Sequence, residues 1–272
     1  MGKFDGVLLV SDLDATLLTD DKRVSDENRN AIQRFVSEGG VFTYVTGRTP
    51  LGCQVILDQL TPDAPIGCLN GGGIYDPRTK QYLWSLKLDP AAGELVSFVR
   101  SEFPDVGIEL CGFYDAWFLH MNPLTEIHRQ LEGIPYVQAT YEEVADRMAK
   151  VLLIIEADRL ETLAKALGEH PLAEQFDFIQ STSEYYEILP KGAGKGALML
   201  RMADMLGISR SRTVAVGDNI NDLSMIRAAG LGVAVANATD AAKKAADLVL
   251  DATNEQHAIA ELIGRLEERL PF

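Results

Sequence analysis

Val7-Leu8-Leu9-Val10-Ser11-Asp12-Leu13-Asp14-Ala15-Thr16 is an apolar run that ends abruptly in two acids. Four consecutive apolar residues suit a strand buried on both faces, as in a parallel sheet covered by helices. Open α/β sheets place their ligands at the carboxyl ends of such strands. Residues i and i+2 of an extended chain point the same way, so Asp12 and Asp14 converge on one point. Two carboxylates that close repel each other unless a cation or a proton lies between them. Taken alone, the pair also fits a solvated acidic turn.

Reading on from this strand, the chain alternates. Ser25 caps a helix carrying Ala31, Ile32, Phe35 and Val36, which stops at Gly39-Gly40. Val41 to Val45 is the next strand, Thr49-Pro50 marks a helix start, and Ile66 to Leu69 is a third strand. This order implies parallel pairing with right-handed crossovers. The rhythm then changes. Tyr75 to Lys80 reads as a hairpin turn, and Asp89-Pro90 starts a helix ending before Pro104. Strand patterns follow at Gly107–Cys111, Trp117–Met121, Lys150–Glu156, Phe176–Ile179 and Tyr185–Leu189, with a helix capped by Asp158 and closed by Gly168.

Alternation returns after Pro190 and ends in a helix with Ile259, Leu262, Ile263, Leu266 and Leu270 on one face, behind capping-box spacing at Thr253 and Gln256. The expected fold class is therefore α/β. A Rossmann-like parallel-sheet core is made from residues 1–82 and 188–272, and an α+β module of residues 83–187 is inserted into it.

Composition narrows the partners. Hydrophobic residues make up 47 % and charged residues 24 % of the 272, enough apolar side chain for a real core. Forty acidic against 25 basic residues give a net charge of −15. A field of that sign repels nucleic acid and anionic membrane, so neither is an expected partner. It repels a phosphorylated substrate too, so a phosphate-handling site here needs a local cation. Cys53, Cys68 and Cys111 form no CxxC pair, and an odd number favours a reducing compartment. With no signal peptide and no apolar stretch of membrane-spanning length, the expected location is cytoplasmic. The four histidines lack zinc spacing, and oligomeric state is not legible.

Three further stretches carry chemistry. Thr46-Gly47-Arg48 follows a strand, where a hydroxyl and a backbone N–H can hold phosphate oxygens, although Thr-Gly is also ordinary turn chemistry. Lys191-Gly192-Ala193-Gly194-Lys195-Gly196 precedes a helix but lacks the Ser or Thr of a P-loop, so ATP binding is not expected. A lysine at a helix start opposes the helix dipole, which suits an anionic neighbour; a solvated lysine is the plainer alternative. Gly217-Asp218-Asn219-Ile220-Asn221-Asp222 directly follows the strand Thr213–Val216. Hard oxygen ligands at this density favour magnesium, and the same residues also fit a helix-capping turn.

In this order, the four stretches resemble the haloacid dehalogenase superfamily, over the whole chain and most closely in its outer segments. The insert position after Asn70-Gly71-Gly72 looks like the Cof-type branch, subfamily IIB, with its two-B cap. The resemblance implies a Mg2+-dependent phosphatase acting on a small phosphorylated metabolite, sugar phosphates first. Asp12 is then the nucleophile that forms an aspartyl-phosphate, and Asp14 the general acid/base. Thr46, Gly47, Lys195 and Asn221 bind the phosphoryl group. The metal is held by Asp12, the Asp14 carbonyl and Asp218, with Asp222 supporting that shell. Arg48 and Asn70 are neighbours of the substrate, and the cap excludes water and selects the leaving group. One departure stands out: the family usually has Gly where this chain has Ala15, and a methyl there restricts the backbone. Three alternatives use similar residues: a phosphomutase of the same branch, a receiver-like signalling domain, and a non-catalytic phosphometabolite-binding protein.

Overall fold

The computed structural model describes residues 2–269; Leu270, placed by its spacing on the last helical face, lies outside the described residues. The elements in chain order are β1 (Leu8–Ser11), α1 (Asp26–Ser37), β2 (Val41–Tyr44), α2 (Gln54–Leu57), β3 (Ile66–Cys68), β4 (Gly73–Asp76), β5 (Gln81–Ser85), α3 (Ala92–Glu102), β6 (Gly107–Gly112), β7 (Ala116–His120), α4 (Pro123–Leu131), α5 (Tyr141–Val144), β8 (Met148–Ile154), α6 (Ala157–Gly168), β9 (Phe176–Gln180) and β10 (Tyr185–Pro190). After these come α7 (Lys195–Met205), β11 (Thr213–Gly217), α8 (Leu223–Ala228), β12 (Leu231–Ala234), α9 (Asp240–Ala245), β13 (Leu248–Val249) and α10 (Ala258–Arg269). They form two compact units: residues 1–47, 53–84 and 194–272 in one, and 48–52 with 85–193 in the other. The short segment Arg48–Gly52, which sequence places in the core span, groups with the second unit.

The first unit is built on a five-stranded parallel sheet in the order β13-β12-β11-β1-β2. β1 is an inner strand between β11 and β2, with Leu8, Leu9 and Val10 fully buried, which is why its sequence is apolar without alternation. One face packs Leu8 and Val10 with Leu198, Met199 and Met202 of α7 and Met225 of α8. Ser25 does cap α1, its hydroxyl accepting from the Asn28 N–H at 3.3 Å. α1 lies against α10, where Ile259, Leu262 and Leu266 are buried. A second, three-stranded sheet has the order β3-β4-β5.

Four local expectations are corrected. Thr49-Pro50 does not start a helix; the Thr49 hydroxyl accepts from Gly52 N at 3.2 Å in a turn, and α2 begins only at Gln54. Leu69 leaves β3 for a left-handed conformation at φ 59°, as does Asn70 at 51°. Asp158 sits inside the first turn of α6 instead of capping it, where its charge still complements the helix dipole. The capping box at Thr253 and Gln256 forms, but it closes a 3-10 turn, and α10 starts one residue after His257.

The second unit holds a five-stranded antiparallel sheet, β7-β6-β8-β10-β9. One face packs Leu110, Val151, Leu153 and Ile188 with Leu95 and Val99 of α3 and Leu163 of α6. Side chains alternate along a strand, so Glu109, Lys150 and Glu187 occupy the opposite face. There the Lys150 ammonium meets Glu187 at 2.8 Å, and His128 meets Glu109 at 3.0 Å. Although burial by itself would lower it, the Glu187 carboxylate raises the Lys150 pKa and keeps the ammonium charged.

Candidate active site

Strand register gathers the site. Ser11 lies beside Val216 on one side and Tyr44 on the other. The residues that follow, Asp12, Asp218 and Thr46, therefore leave the sheet at the same edge. β1 is also where the strand order reverses, with β2 on one flank and β11 on the other. Such a reversal opens a crevice at the carboxyl ends of the strands.

The carboxylates of Asp12, Asp218 and Asp222 all lie within 4.8 Å of one another and are buried. Lys195, the first residue of α7, is itself fully buried. Its ammonium donates to Asp12 Oδ1 at 2.7 Å and to Asp222 Oδ1 at 2.6 Å. These are the anionic neighbours that its place at a helix start requires. Although burial by itself would lower it, the two carboxylates raise the Lys195 pKa above the ordinary lysine value. Asp222 Oδ2 accepts from the N–H groups of Asp218 and Asn219 at 2.9 and 3.0 Å, which folds the 217–222 turn back on itself. A side chain at Gly217 would stand 2.5 Å from the Asp222 carboxyl carbon, so glycine is required there.

The turn after β1 is a single wide loop in which Leu18 N donates to Leu13 O at 2.9 Å. Ala15 sits at its centre with φ 54° and ψ 12°, the left-handed region that glycine enters without cost. Thr16, to which sequence reading gave no role, donates to Asp218 Oδ1 at 2.8 Å and links the two acidic turns. The Asp14 carboxylate is not part of the buried cluster. It pairs with Lys22 at 2.8 Å and is 38 % exposed in its side chain.

The remaining expected residues fall as follows. Thr46 is buried, and its carbonyl accepts from Asn70 N at 3.0 Å. Gly47 abuts the Asn70 amide so closely that a Cβ would lie 2.9 Å from Asn70 Nδ2. Asn221 Nδ2 donates to Asn70 Oδ1 at 3.2 Å, while Asn221 Oδ1 is buried without a hydrogen-bond partner among the described residues. Thr46, Gly47, Asn70 and Asn221 thus form a second polar group in the same unit. Arg48 belongs to the other unit, where its guanidinium meets Glu132 at 2.6 Å.

The electrostatics fit a divalent cation. Three buried carboxylates face one ammonium, leaving negative charge uncompensated. Burial, followed by the charge of Asp222, raises Asp12 well above the usual carboxylate range, and Lys195 only partly opposes this. Burial and Asp222 push Asp218 up to about 7 against the Thr16 hydrogen bond. Buried carboxylates whose pKa is raised by burial and by one another are a hard-oxygen donor set that a divalent cation would stabilise in the charged form.

An open parallel sheet with an acidic, lysine-bridged cluster at its switch point is the ligand site of an α/β protein, and comparison with known proteins gives its class. Residues 9–263 match the family of haloacid dehalogenase-like hydrolases. The chain is 29% identical to the 5-amino-6-(5-phospho-D-ribitylamino)uracil phosphatase YwtE of Bacillus subtilis, over 94% of this chain and 96% of the relative. It is also 29% identical to the phosphatase YwpJ of the same organism, over 95% and 99%. A haloacid dehalogenase-like hydrolase from Bacteroides thetaiotaomicron superposes with a TM-score of 0.83 at 26% identity, covering 96% of this chain and 99% of that one. The chain belongs to the haloacid dehalogenase-like hydrolases, as a Cof-type phosphatase, a phosphoric monoester hydrolase. No helix among the described residues is long and apolar enough to cross a membrane.

Proposed function

We propose that this phosphatase hydrolyses a small phosphorylated metabolite, sugar phosphates first, with Mg2+ bound and through an aspartyl-phosphate on Asp12. The observation that carries this is the buried cluster of the Asp12, Asp218 and Asp222 carboxylates, two of which, Asp12 and Asp222, pair with Lys195. The likeness to YwtE, named for a phosphoribityl ester, supports a polyhydroxylated leaving group. In this reading the core, residues 1–82 and 188–272, carries the chemistry, and the cap of residues 83–187 selects the substrate. Free cysteines at 53, 68 and 111 suit a cytoplasmic location.

Phosphoryl transfer asks chiefly for positioning and charge neutralisation. Lys195 holds Asp12 Oδ1, fixes the carboxylate for in-line attack and takes up charge as it develops on the phosphoryl oxygens. Thr46, Gly47 and Asn221 orient those oxygens, with Asn70 as a further substrate contact. An Asp12 oxygen forms the new bond to phosphorus as the ester P–O bond breaks, and Asp14 gives its proton to the leaving oxygen. Asp14, now a carboxylate, takes a proton from water as the water oxygen attacks phosphorus and the bond to Asp12 breaks. Asp12, Asp218 and the Asp14 carbonyl, with Asp222 behind them, would hold magnesium, which would supply Lewis-acid neutralisation of the phosphate charge.

The test is inorganic-phosphate release over a panel of phosphate monoesters, with Mg2+ and with EDTA, in wild type and Asp12→Asn. Expected are turnover of several sugar phosphates only with the metal, and none in the variant. Asp12→Asn turning over at the wild-type rate would refute nucleophilic catalysis by this residue.

A further inference from the structure

The turn that carries Asp14 is held from a third strand end. Ala15, in the left-handed region at φ 54°, has a Cβ that disfavours this conformation, so the turn needs restraint from outside. Asn237, in the loop after β12, donates from Nδ2 to the Ala15 carbonyl at 2.8 Å. Its Oδ1 accepts from Asn254 N at 3.0 Å. Asn254, itself buried, donates onward to Leu18 O at 3.1 Å and to Asp20 Oδ1 at 3.2 Å. Two asparagines thus grip the turn at its strained residue and at its exit. Neither residue lies in the stretches that the sequence singles out, since the contacts span 222 and 236 positions of chain.

We propose that Asn237 is a positioning residue for proton transfer: by holding the Ala15 carbonyl it keeps the left-handed turn in place and so aims the carboxyl of Asp14. This rests on Asp14 being the general acid of the proposed reaction. Without the Asn237 donor, Ala15 relaxes toward the right-handed region, and the Asp14 side chain loses its fixed aim at the leaving oxygen. The Asn237 side chain bonds Ala15 and Asn254, not Asp12 or Lys195, so the nucleophile just beyond β1 and its ammonium partner keep their places.

The leaving group separates this role from a structural one. An alkyl phosphate needs a proton on its departing oxygen, whereas p-nitrophenolate leaves as an anion. Steady-state rates of the full chain with Mg2+ are compared on glucose 6-phosphate and p-nitrophenyl phosphate for wild type, Asn237→Ala, the near-isosteric Asn237→Leu and Asp14→Asn. General acids contribute on the order of 10²–10⁴-fold, so a misaimed one should cost about tenfold or more. Expected is that loss of kcat on glucose 6-phosphate in both Asn237 variants, with KM little changed and p-nitrophenyl phosphate within about threefold of wild type. Equal losses on both esters, or no loss on either, overturn the role of Asn237. If Asp14→Asn itself fails to discriminate between the esters, the general-acid reading falls, and this inference with it. Thermal melting of each variant keeps misfolding apart from misaiming.

Discussion

Replacing Lys195 by Met tests whether one buried ammonium makes three neighbouring carboxylates tolerable. Lys195 stands 2.7 Å from Asp12 and 2.6 Å from Asp222, all buried. At an effective dielectric near 20, each pair is worth roughly 6 kcal/mol of gross attraction. Most of that repays the cost of taking the charges out of water. Removing one partner of a buried pair typically costs about 3–5 kcal/mol, because the other charge is left uncompensated. Melting temperature should therefore fall by roughly 6–20 °C at pH 8 in EDTA, at about 2–4 °C per kcal/mol for a protein of this size.

The pH dependence has a definite sign. A carboxyl raised in the folded state keeps a proton that the unfolded chain releases, so stability falls as pH rises toward the folded pKa. Without Lys195 the cluster carboxyls rise further, and the deficit is larger at pH 8 than at pH 5. Divalent cation, by supplying positive charge, should recover part of it. Differential scanning calorimetry at the two pH values, with and without Mg2+, reads all of this. A Lys195→Met protein melting within about 2 °C of wild type at pH 8 in EDTA would refute the charge-compensation argument.

Metal-free wild type should itself lose stability as pH rises from about 4 to about 7, because Asp218 is raised to about 7 and Asp12 is raised as well. Mg2+ must displace those protons, so its affinity should weaken between pH 7 and pH 5, with proton release visible by calorimetry in buffers of different ionisation enthalpy; a pH-independent affinity contradicts this. Ala15→Gly removes a left-handed penalty of about 1–2 kcal/mol and adds roughly 0.5–1 kcal/mol of backbone entropy cost. It should therefore stabilise slightly, by about 0.5–1 kcal/mol in urea denaturation, whereas a loss would mean that the methyl packs usefully. In the second unit, Glu187→Gln should cost about 3–5 kcal/mol by removing the carboxylate opposite the buried Lys150 ammonium, while the double change Lys150→Met with Glu187→Leu should be near neutral. Urea melts of single and double variants decide between them.

The strand ends were readable because their cause is local. A continuous apolar run followed at once by Asp, Thr-Gly or Gly-Asp marks both a buried parallel strand and the point where it leaves the sheet. Strand register then brings Asp12, Asp218 and Thr46 to one edge without further information. Lys195 was readable as a cation facing an anion, because a lysine at a helix start opposes the dipole. Thr16 lay inside a stretch already singled out, yet nothing near it says that its partner is Asp218, 202 positions away.

Sequence alone determined the alternation that makes the first unit an α/β sheet, the change of rhythm that marks the insert, and the set of oxygen-rich turns. Periodicity and turn chemistry act over a few residues, so they are written where they act. Tertiary structure alone decided that Asp14 turns to Lys22, that Arg48 is spent on Glu132, that Asp222 joins the carboxylate cluster through Lys195, and that Asn237 and Asn254 grip the Ala15 turn. Those pairings join side chains whose proximity exists only once the sheet has formed. No local pattern can encode them, because each partner's neighbours in sequence are not its neighbours in space.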